Sequence, residues 1–348
     1  MQALVLTDKK QFELQSLPTP TPGPDEVLIA VRACGICGSD VHGMDGSTGR
    51  RRPPIVMGHE AAGVIAGLGA NVTGWRAGDR VTFDSTISCG HCPHCRRGEV
   101  NLCDHRRVLG VSCEEYRQAG AFADYVVVPA RILYRLPDAL SFEEAALIEP
   151  FTIAFHAVRR HPVRLNDSAL IIGCGMIGLA LLQTTRLAGF GRIVAVDTAS
   201  DRLRQAKELG ADDIVNSAEG DVLATLLRLT EGRGFDHVFE AVGIAPTVDL
   251  AVRAARKGGA VTLVGNVTPS VPMPLQLVVT RELSLAGSCA SAGEYPACLD
   301  LMARGALSAK PLLSAVAPLR EGASWFDRLY QREPGLLKVI LAPDAQPA

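Results

Sequence analysis

Three glycines that follow a short apolar run constrain the possible folds of this chain more than any other feature. The run ALII at 169–172 precedes them in the pattern Gly-x-Gly-x-x-Gly. Such a pattern can serve backbone geometry alone, but it also permits a tight turn, close approach to a pyrophosphate and tight packing of a helix on a strand. It therefore predicts a strand, a turn and a helix whose N-terminus binds a dinucleotide. The predicted phosphate contacts are Gly173, Gly175, Met176, Ile177 and Gly178.

An acidic residue ends the next predicted strand, RIVAVD at 192–197. Asp197 follows Gly178 by nineteen positions. A carboxylate at this point accepts hydrogen bonds from both hydroxyls of the adenosine ribose and repels a 2′-phosphate. We therefore predict NAD rather than NADP as the cofactor. Arg202 could contact a 2′-phosphate in principle, but we expect it on the solvated face of the following helix.

The pattern of the sequence changes near residue 142, and a chain of 348 residues exceeds what one hydrophobic core usually serves. Before this point, short Val- and Ile-rich runs alternate with Gly, Pro and Asp, as in a β-rich domain. After it, strand-like and helical segments alternate, which predicts an α/β fold with a parallel, doubly wound sheet. A terminal strand at 337–341 is expected to return to the first domain. We predict one domain at 1–150 and 290–348 and another at 151–289.

Charge and hydropathy exclude several kinds of partner. The formal net charge of −2 provides no strong positive field for nucleic acid or an anionic membrane. The longest apolar stretch, at 169–182, contains three glycines and is shorter than the roughly 18 residues that span a bilayer. No export signal is recognised, so the ten cysteines indicate metal ligation or burial rather than disulfides. We expect a cytoplasmic protein with a small-molecule substrate.

Four cysteines, at positions 89, 92, 95 and 103, lie within fifteen residues. Four thiolates complete a tetrahedral zinc shell and leave no position open for substrate, so this site is predicted to be structural. An iron–sulfur cluster is the main rival, although typical ferredoxin spacings differ. The predicted ligands are Cys89, Cys92, Cys95 and Cys103.

A second candidate metal site is scattered over the first half of the chain, in CGSDVH at 37–42, GHE at 58–60 and EP at 149–150. Taken singly, each Cys or His would ordinarily be a packing residue. Together they supply a thiolate, an imidazole and one or two carboxylates, which suits a zinc ion with an open coordination position. Such an ion binds an alcohol oxygen and lowers its pKa.

These motifs resemble the zinc-containing medium-chain dehydrogenase/reductase family over nearly the whole chain. CGSDVH, GHE and ALIEP (146–150) are most similar to the polyol branch that includes sorbitol dehydrogenases. The resemblance implies a GroES-like catalytic domain built from both chain ends and an inserted Rossmann domain. It also implies reversible NAD-linked oxidation of a secondary alcohol, a polyol or sugar alcohol, to a ketone. A homodimer or homotetramer with two zinc ions per chain is expected.

The resemblance also assigns the catalytic zinc shell. Cys37 and His59 are ligands, and Glu60 or Glu149 completes the shell directly or through water. Consecutive residues of an extended strand point to opposite faces, so we expect Glu149 to be the direct ligand at rest and Glu60 the alternate. Asp40 is expected to orient the imidazole of His59.

Other family positions carry the proton and hold the cofactor. Ser39 and His42 match the relay that takes the alcohol proton to solvent. Lys338 lies near the family's basic residue that approaches the pyrophosphate. The positions that line the nicotinamide half are Val242, Gly243, Val264, Gly265 and Ser288.

Departures from the family pattern bear on the substrate. Sorbitol dehydrogenases commonly have an Arg and an aromatic residue where this chain has Ala290 and Ser291, so polyol contacts differ or are missing. Arg50–Arg52 could bind a substrate phosphate, although a solvated loop is the favoured interpretation. A threonine-type or sugar-phosphate dehydrogenase is therefore the first alternative.

Two alternatives of other kinds are also considered. A zinc-ribbon module that contacts nucleic acid is opposed by the neutral charge and by the dinucleotide pattern. A zinc-free quinone reductase of the same fold is opposed by the presence of Cys37, His59 and Glu149.

Overall fold

The computed structural model describes residues 1–113 and 116–343 and separates into two units. The first is Met1–Glu149 together with the chain from Ala292 onward, and the second is Pro150–Ser291. The strands are β1 (Gln2–Asp8), β2 (Gln11–Ser16), β3 (Glu26–Gly35), β4 (Ile55–Val56), β5 (Glu60–Leu68), β6 (Arg80–Phe83), β7 (Thr86–Ile87), β8 (Arg107–Val108), β9 (Val111–Cys113), β10 (Tyr116–Gln118), β11 (Tyr125–Pro129), β12 (Leu133–Arg135), β13 (Ser168–Ile172), β14 (Arg192–Asp197), β15 (Asp213–Asn216), β16 (Phe235–Glu240), β17 (Ala255–Leu263), β18 (Ser284–Gly287), β19 (Leu313–Pro318) and β20 (Lys338–Ala342). The α-helices are α1 (Gly38–Gly43), α2 (Pro93–Arg96), α3 (Phe142–Ala146), α4 (Ile148–Val158), α5 (Met176–Leu187), α6 (Ser200–Glu208), α7 (Val222–Leu229), α8 (Ala245–Ala254), α9 (Leu275–Thr280), α10 (Tyr295–Ala303) and α11 (Gly322–Tyr330).

The first unit is built around β3, whose alternating Val27, Ile29 and Val31 are buried in the core. This alternation is typical of a strand with one face in a core. β3 pairs antiparallel with β5 and β11, and its end also pairs with β20. The sheet order is β12-β6-β5-β3-β20-β19. The C-terminal strand therefore lies beside the strand that leads to Cys37.

The second unit contains the doubly wound sheet that the sequence predicts. Its order is β15-β14-β13-β16-β17-β18, and every pairing is parallel. The order reverses between β13 and β16, which is where such sheets bind ligands at the carboxyl ends of their strands. The predicted fold class is confirmed, and β14 occupies the predicted residues 192–197. Every helix in the part of the chain that the structure describes falls short of the length and hydropathy that a bilayer span requires.

Phe326 of α11 connects the two ends of the chain within the first unit. Its ring stacks on Phe12 at 4.5 Å between centroids and meets Phe122 edge-on at 5.6 Å. Both Phe326 and Phe122 are fully buried. The C-terminal segment is thus held on the N-terminal strands by aromatic packing.

Phe326→Ala should destabilise the first unit by about 3–5 kcal/mol, because it removes a buried ring and leaves a cavity. Ser324→Ala, an exposed position of the same helix, is the matched control. Thermal unfolding measured by circular dichroism should show a clear loss for the first variant only. Equal melting temperatures for the two variants would contradict this account of the packing.

Candidate metal and cofactor sites

The structure brings Cys37, His59 and Glu60 together, and their ligand atoms all lie within 4.8 Å of one another. We call these three residues the mixed cluster. Cys37 lies just before α1, and Glu60 is the first residue of β5. The antiparallel register of β3 and β5 sets Gly35 opposite Glu60, which brings the end of β3 to this carboxylate. A soft thiolate, an imidazole and a carboxylate are a donor set that zinc accepts.

The expectation that His59 and Glu60 point to opposite faces of a strand is wrong. His59 precedes β5 and is not in an extended strand. Gly58 before it has φ of +94°, and a Cβ there would lie 2.8 Å from Cys34 Sγ. The ligand atoms of His59 and Glu60 lie within 4.8 Å of each other, so the two side chains are not separated as alternation along a strand would require. Glu60, and not Glu149, belongs to the mixed cluster.

Glu149 lies nearby, in the first turn of α4. Burial, followed by the negative charge of Glu60, raises the pKa of Glu149 to about 8. Glu149 thus interacts with the charge of Glu60 but is not part of the mixed cluster.

Lys338 is buried against the mixed cluster. Its ammonium group forms an ion pair with Glu60 and donates to the carbonyl oxygen of Ile36 at 3.1 Å. Only 2% of Lys338 is exposed, since β20 lies in the sheet beside β3. Although burial opposes its charge, Glu60 raises the pKa of Lys338 overall. The approach of Lys338 to a pyrophosphate stays a prediction.

Asp40 is fully buried and faces both the mixed cluster and an arginine. Its Oδ2 lies at an ion-pair distance of 3.5 Å from Nδ1 of His59, although the two atoms do not form a hydrogen bond. Its Oδ1 accepts hydrogen bonds from Nε and Nη2 of Arg51 at 3.1 and 2.7 Å. Burial opposes ionisation, but the charges of His59 and Arg51 hold the pKa of Asp40 well below its usual range.

Arg51 is thus buried, although its place among three consecutive arginines predicts a solvated loop. Only 4% of the residue is exposed. A buried carboxylate needs a buried cation, and Arg51 provides one for Asp40. Because Asp40 lies eleven positions upstream, the three consecutive arginines alone do not reveal this pairing. Its neighbours Arg50 and Arg52 are exposed.

The two predicted relay residues lie on α1. Ser39 and His42 are three positions apart on this helix, so their side chains share a face. Both are exposed. The Ser39 hydroxyl donates to Cys37 Sγ at 3.3 Å, which places it at the edge of the mixed cluster.

The four-cysteine cluster also forms, with all four sulfur atoms within 4.8 Å of one another. Backbone N–H groups point at these sulfurs, for example from Cys89 to Cys103 at 3.2 Å and from Cys92 to Cys89 at 3.4 Å. The backbone N–H groups of Cys95 and Asp104 lower the pKa of the Cys92 thiol to about 6. This arrangement stabilises thiolates and fits a closed tetrahedral metal site.

In the second unit, the glycine turn has the form that its pattern predicts. Gly173 has φ of +95°, and α5 begins at Met176 and continues through Ile177, with Gly175 as its N-cap. A Cβ at Gly178 would overlap the carbonyl oxygen of Gly173. Nothing lies within 4 Å of a Cβ at Gly175, which leaves space above the helix N-terminus. The turn is therefore shaped to accept an anionic ligand.

Asp197 ends β14 beside this turn. Its Oδ2 accepts a hydrogen bond from the backbone of Cys174 at 2.6 Å, and its Oδ1 accepts one from Ala199 at 2.9 Å. Each oxygen keeps a further lone pair for a ligand hydroxyl. Arg202 is half-buried near Asp197, and burial lowers the pKa of its guanidinium. Arg202 is therefore less solvated than the sequence predicts.

The predicted nicotinamide residues follow three neighbouring strands. The loops after β16 and β17 touch through glycine, since a Cβ at Gly265 would meet the backbone of Val242 and Gly243. Val264, in the second loop, donates its N–H to the backbone oxygen of Glu240 at 2.8 Å. After β18, the Ser288 N–H donates to Leu263 at 2.9 Å.

Glu240, which is fully buried at the end of β16, is a functional candidate that was not predicted from the sequence. Its Oε1 accepts N–H groups from Val242 and Gly243 at 3.0 and 2.7 Å and so holds the first of these loops. An acidic residue that ends an apolar strand, as Asp197 does, was the available signal.

Comparisons with known proteins agree with this architecture. The family model of the alcohol dehydrogenase GroES-like domain matches residues 23–138, and that of zinc-binding dehydrogenases matches 177–304. The chain is 33% identical to sorbitol dehydrogenase of Bacillus subtilis (strain 168), over 99% of this chain and 98% of that protein. It is 37% identical to L-idonate 5-dehydrogenase of Vitis vinifera, over 88% and 84% of the two chains. The solved structure of alcohol dehydrogenase TADH from Thermus sp. ATN1 matches with a TM-score of 0.92 and 32% identity, covering 98% of this chain and 99% of that one.

Cys95→Ser should lose one of two bound zinc ions and melt at a lower temperature, because metal binding in a closed thiolate shell contributes to folding. Cys289→Ser, at an exposed cysteine outside both clusters, should keep both ions. Zinc per chain, measured by elemental analysis, and thermal unfolding should be recorded on the same samples. A Cys95→Ser protein with one ion fewer and unchanged melting would contradict the structural role.

Proposed function

The chain belongs to the zinc-binding medium-chain dehydrogenases, and from that premise we propose that it reversibly oxidises a polyol or sugar alcohol to a ketone with NAD. Two family models and relatives over nearly its full length show the family, so the chain is an oxidoreductase that acts on alcohols. The predicted resemblance to this family is confirmed. The sorbitol and L-idonate dehydrogenases among its relatives support the choice of substrate class.

The mixed cluster is the observation that carries the proposal. Glu60 is almost fully buried, and its Oε1 has no hydrogen-bond partner among the described residues. A buried carboxylate oxygen with this environment, close to a thiolate and an imidazole, fits a metal ligand. Cys37, His59 and Glu60 would hold the catalytic zinc, and Glu149 would lie beside it. Zinc bound there polarises an alcohol oxygen and makes its proton easier to remove.

The neighbouring residues would orient the ligands and move the proton. Asp40, whose Oδ2 lies 3.5 Å from Nδ1 of His59, would orient the imidazole and leave Nε2 for the metal. Ser39 would accept the alcohol proton and pass it along α1 to His42, whose exposed ring can release it to solvent.

The cofactor proposal is based on Asp197. Its carboxylate is fixed by two backbone N–H groups at the glycine turn and the start of α6, so it cannot easily turn away from a ligand. Ribose hydroxyls would complete its hydrogen bonds, whereas a 2′-phosphate would be repelled. The half-buried Arg202 does not change the sign of this preference, since Asp197 and Asp201 lie near it.

A phosphorylated substrate is less favoured than a neutral polyol. The sequence suggests that Arg50–Arg52 could bind a phosphate, but Arg51 forms an ion pair with Asp40. The substrate is therefore proposed to be uncharged, and a panel of polyols, sugar phosphates and simple alcohols assayed with NAD tests this choice directly.

A homodimer or homotetramer is proposed as the assembly. Exposed apolar side chains lie on and before α9 in the second unit, at Val267, Met273, Leu275 and Val279. Close by in sequence, β18 forms the edge of the parallel sheet. Exposed apolar surface beside an open strand edge is typical of an association surface.

Asp197→Ala should reduce the ratio of catalytic efficiency with NAD to that with NADP roughly 10- to 100-fold, as expected for lost hydrogen bonds to a charged group. Glu208→Gln, an exposed charge at the end of α6, should leave the ratio unchanged. Steady-state kinetics with both cofactors provide the ratio. Equal or better use of NADP by the unaltered protein would refute the cofactor proposal.

Cys37→Ser and Glu60→Gln should lose the catalytic zinc and nearly all turnover, because each removes a direct ligand. Glu149→Gln should keep more zinc than Glu60→Gln does. Glu143→Gln, on the neighbouring helix α3, serves as the control for loss of a carboxylate. Zinc per chain and turnover at saturating NAD are the measurements. Full zinc content and normal turnover in Cys37→Ser would show that the catalytic centre lies elsewhere.

A further inference from the structure

Arg51 is buried behind the mixed cluster and contacts two groups that each touch one of its members. Its Nε and Nη2 donate to Asp40 Oδ1 at 3.1 and 2.7 Å, and Nη2 also donates to Ser39 Oγ at 3.2 Å. Asp40 in turn faces His59, and Ser39 donates to Cys37. The guanidinium is therefore one contact away from two proposed zinc ligands.

The geometry of these contacts fixes directions as well as distances. A guanidinium is planar and presents its N–H groups in a rigid fork, so binding Asp40 and Ser39 together defines where both lie. A serine hydroxyl has a single hydrogen. Because Arg51 donates to the Ser39 oxygen, that hydrogen must point away from Arg51, toward the mixed cluster.

The backbone on both sides of Arg51 is held in place by Ser112 of β9. The Ser112 N–H donates to the carbonyl oxygen of Arg50 at 3.3 Å. The Ser112 hydroxyl accepts from the N–H of Arg52 at 2.5 Å and donates to the Arg52 carbonyl oxygen at 2.8 Å. These three bonds bracket Arg51, so its position is set by the fold of the first unit.

Gly43, at the end of α1, leaves room for the stem of Arg51. A Cβ at this glycine would lie 2.6 Å from Arg51 Cγ and 3.5 Å from its Cβ. These atoms belong to the base of the side chain, which cannot shift without moving the guanidinium. A methyl group at position 43 would therefore displace Arg51 without altering any charge.

We propose that Arg51 is a positioning residue of the catalytic centre, which holds Asp40 and Ser39 and thereby orients His59 for zinc and the Ser39 hydroxyl for proton transfer. This inference rests on the proposed function, since it assigns Arg51 to the same site. It gives Arg51, the middle residue of Arg50–Arg52, a role distinct from phosphate binding.

Two variants test the proposal from different directions. Arg51→Lys keeps a buried cation for Asp40, so the protein should fold, but an ammonium lacks the fork that joins Asp40 to Ser39. Gly43→Ala keeps Arg51 and displaces it. Arg50→Gln, which removes a charge from the adjacent exposed position, is the matched control.

The measurements are the rate of zinc release to a colorimetric chelator, well below the melting temperature, and kcat and KM for the alcohol. Arg51→Lys and Gly43→Ala should each release the catalytic zinc about tenfold faster and lower kcat by about tenfold, as is usual when a group that orients a ligand is lost. KM should change little. The zinc at the four cysteines should be released as slowly as in the parent protein. Arg50→Gln should match the parent.

The inference is overturned if both variants release zinc and turn over like Arg50→Gln, even if they melt at lower temperature, because a merely structural residue would affect melting alone. Cys37→Ser, measured in parallel, separates this failure from that of the proposed function. Zinc loss in Cys37→Ser without an effect of Arg51→Lys or Gly43→Ala would refute only the role of Arg51. Retention of both zinc ions in Cys37→Ser would refute the proposed function itself.

Discussion

Two carboxylates buried at the proposed catalytic centre govern the architecture of the first unit. Asp40 and Glu60 are at most 1% exposed, and a buried charge is tolerated only when a partner compensates for lost hydration. The fold supplies one cation to each, Arg51 to Asp40 and Lys338 to Glu60. Since Lys338 begins the C-terminal strand, the chain must return to the first unit before this centre is electrostatically complete.

In the second unit, acidic residues at the carboxyl ends of strands accept hydrogen bonds from backbone N–H groups. Asp197 accepts from the glycine turn and from α6, and Glu240 accepts from the loop after β16. Hydrogen bonds of this kind fix a carboxylate without neutralising it. Asp197 is thus fixed where the ribose hydroxyls are proposed to bind it.

The sequence predicted best the features that depend on residues close together in the chain. Periodicity and the glycine pattern predicted the parallel sheet and its turn, and the spacing of Cys89 to Cys103 predicted their clustering. It failed where partners are distant in the chain. Asp40 is paired with Arg51, eleven positions downstream, and the pairing of β20 with β3 brings Lys338 to Glu60. Neither effect can be seen in local residue patterns.

The central claim is that one chain holds zinc in two chemically different shells, a closed one of four thiolates and an open one in the mixed cluster. Anomalous diffraction from crystals of the purified protein, collected on both sides of the zinc absorption edge, tests it most directly. The account predicts two zinc peaks in each chain, one among Cys89, Cys92, Cys95 and Cys103 and one among Cys37, His59 and Glu60. A protein saturated with zinc that shows a peak at the four cysteines alone would contradict it.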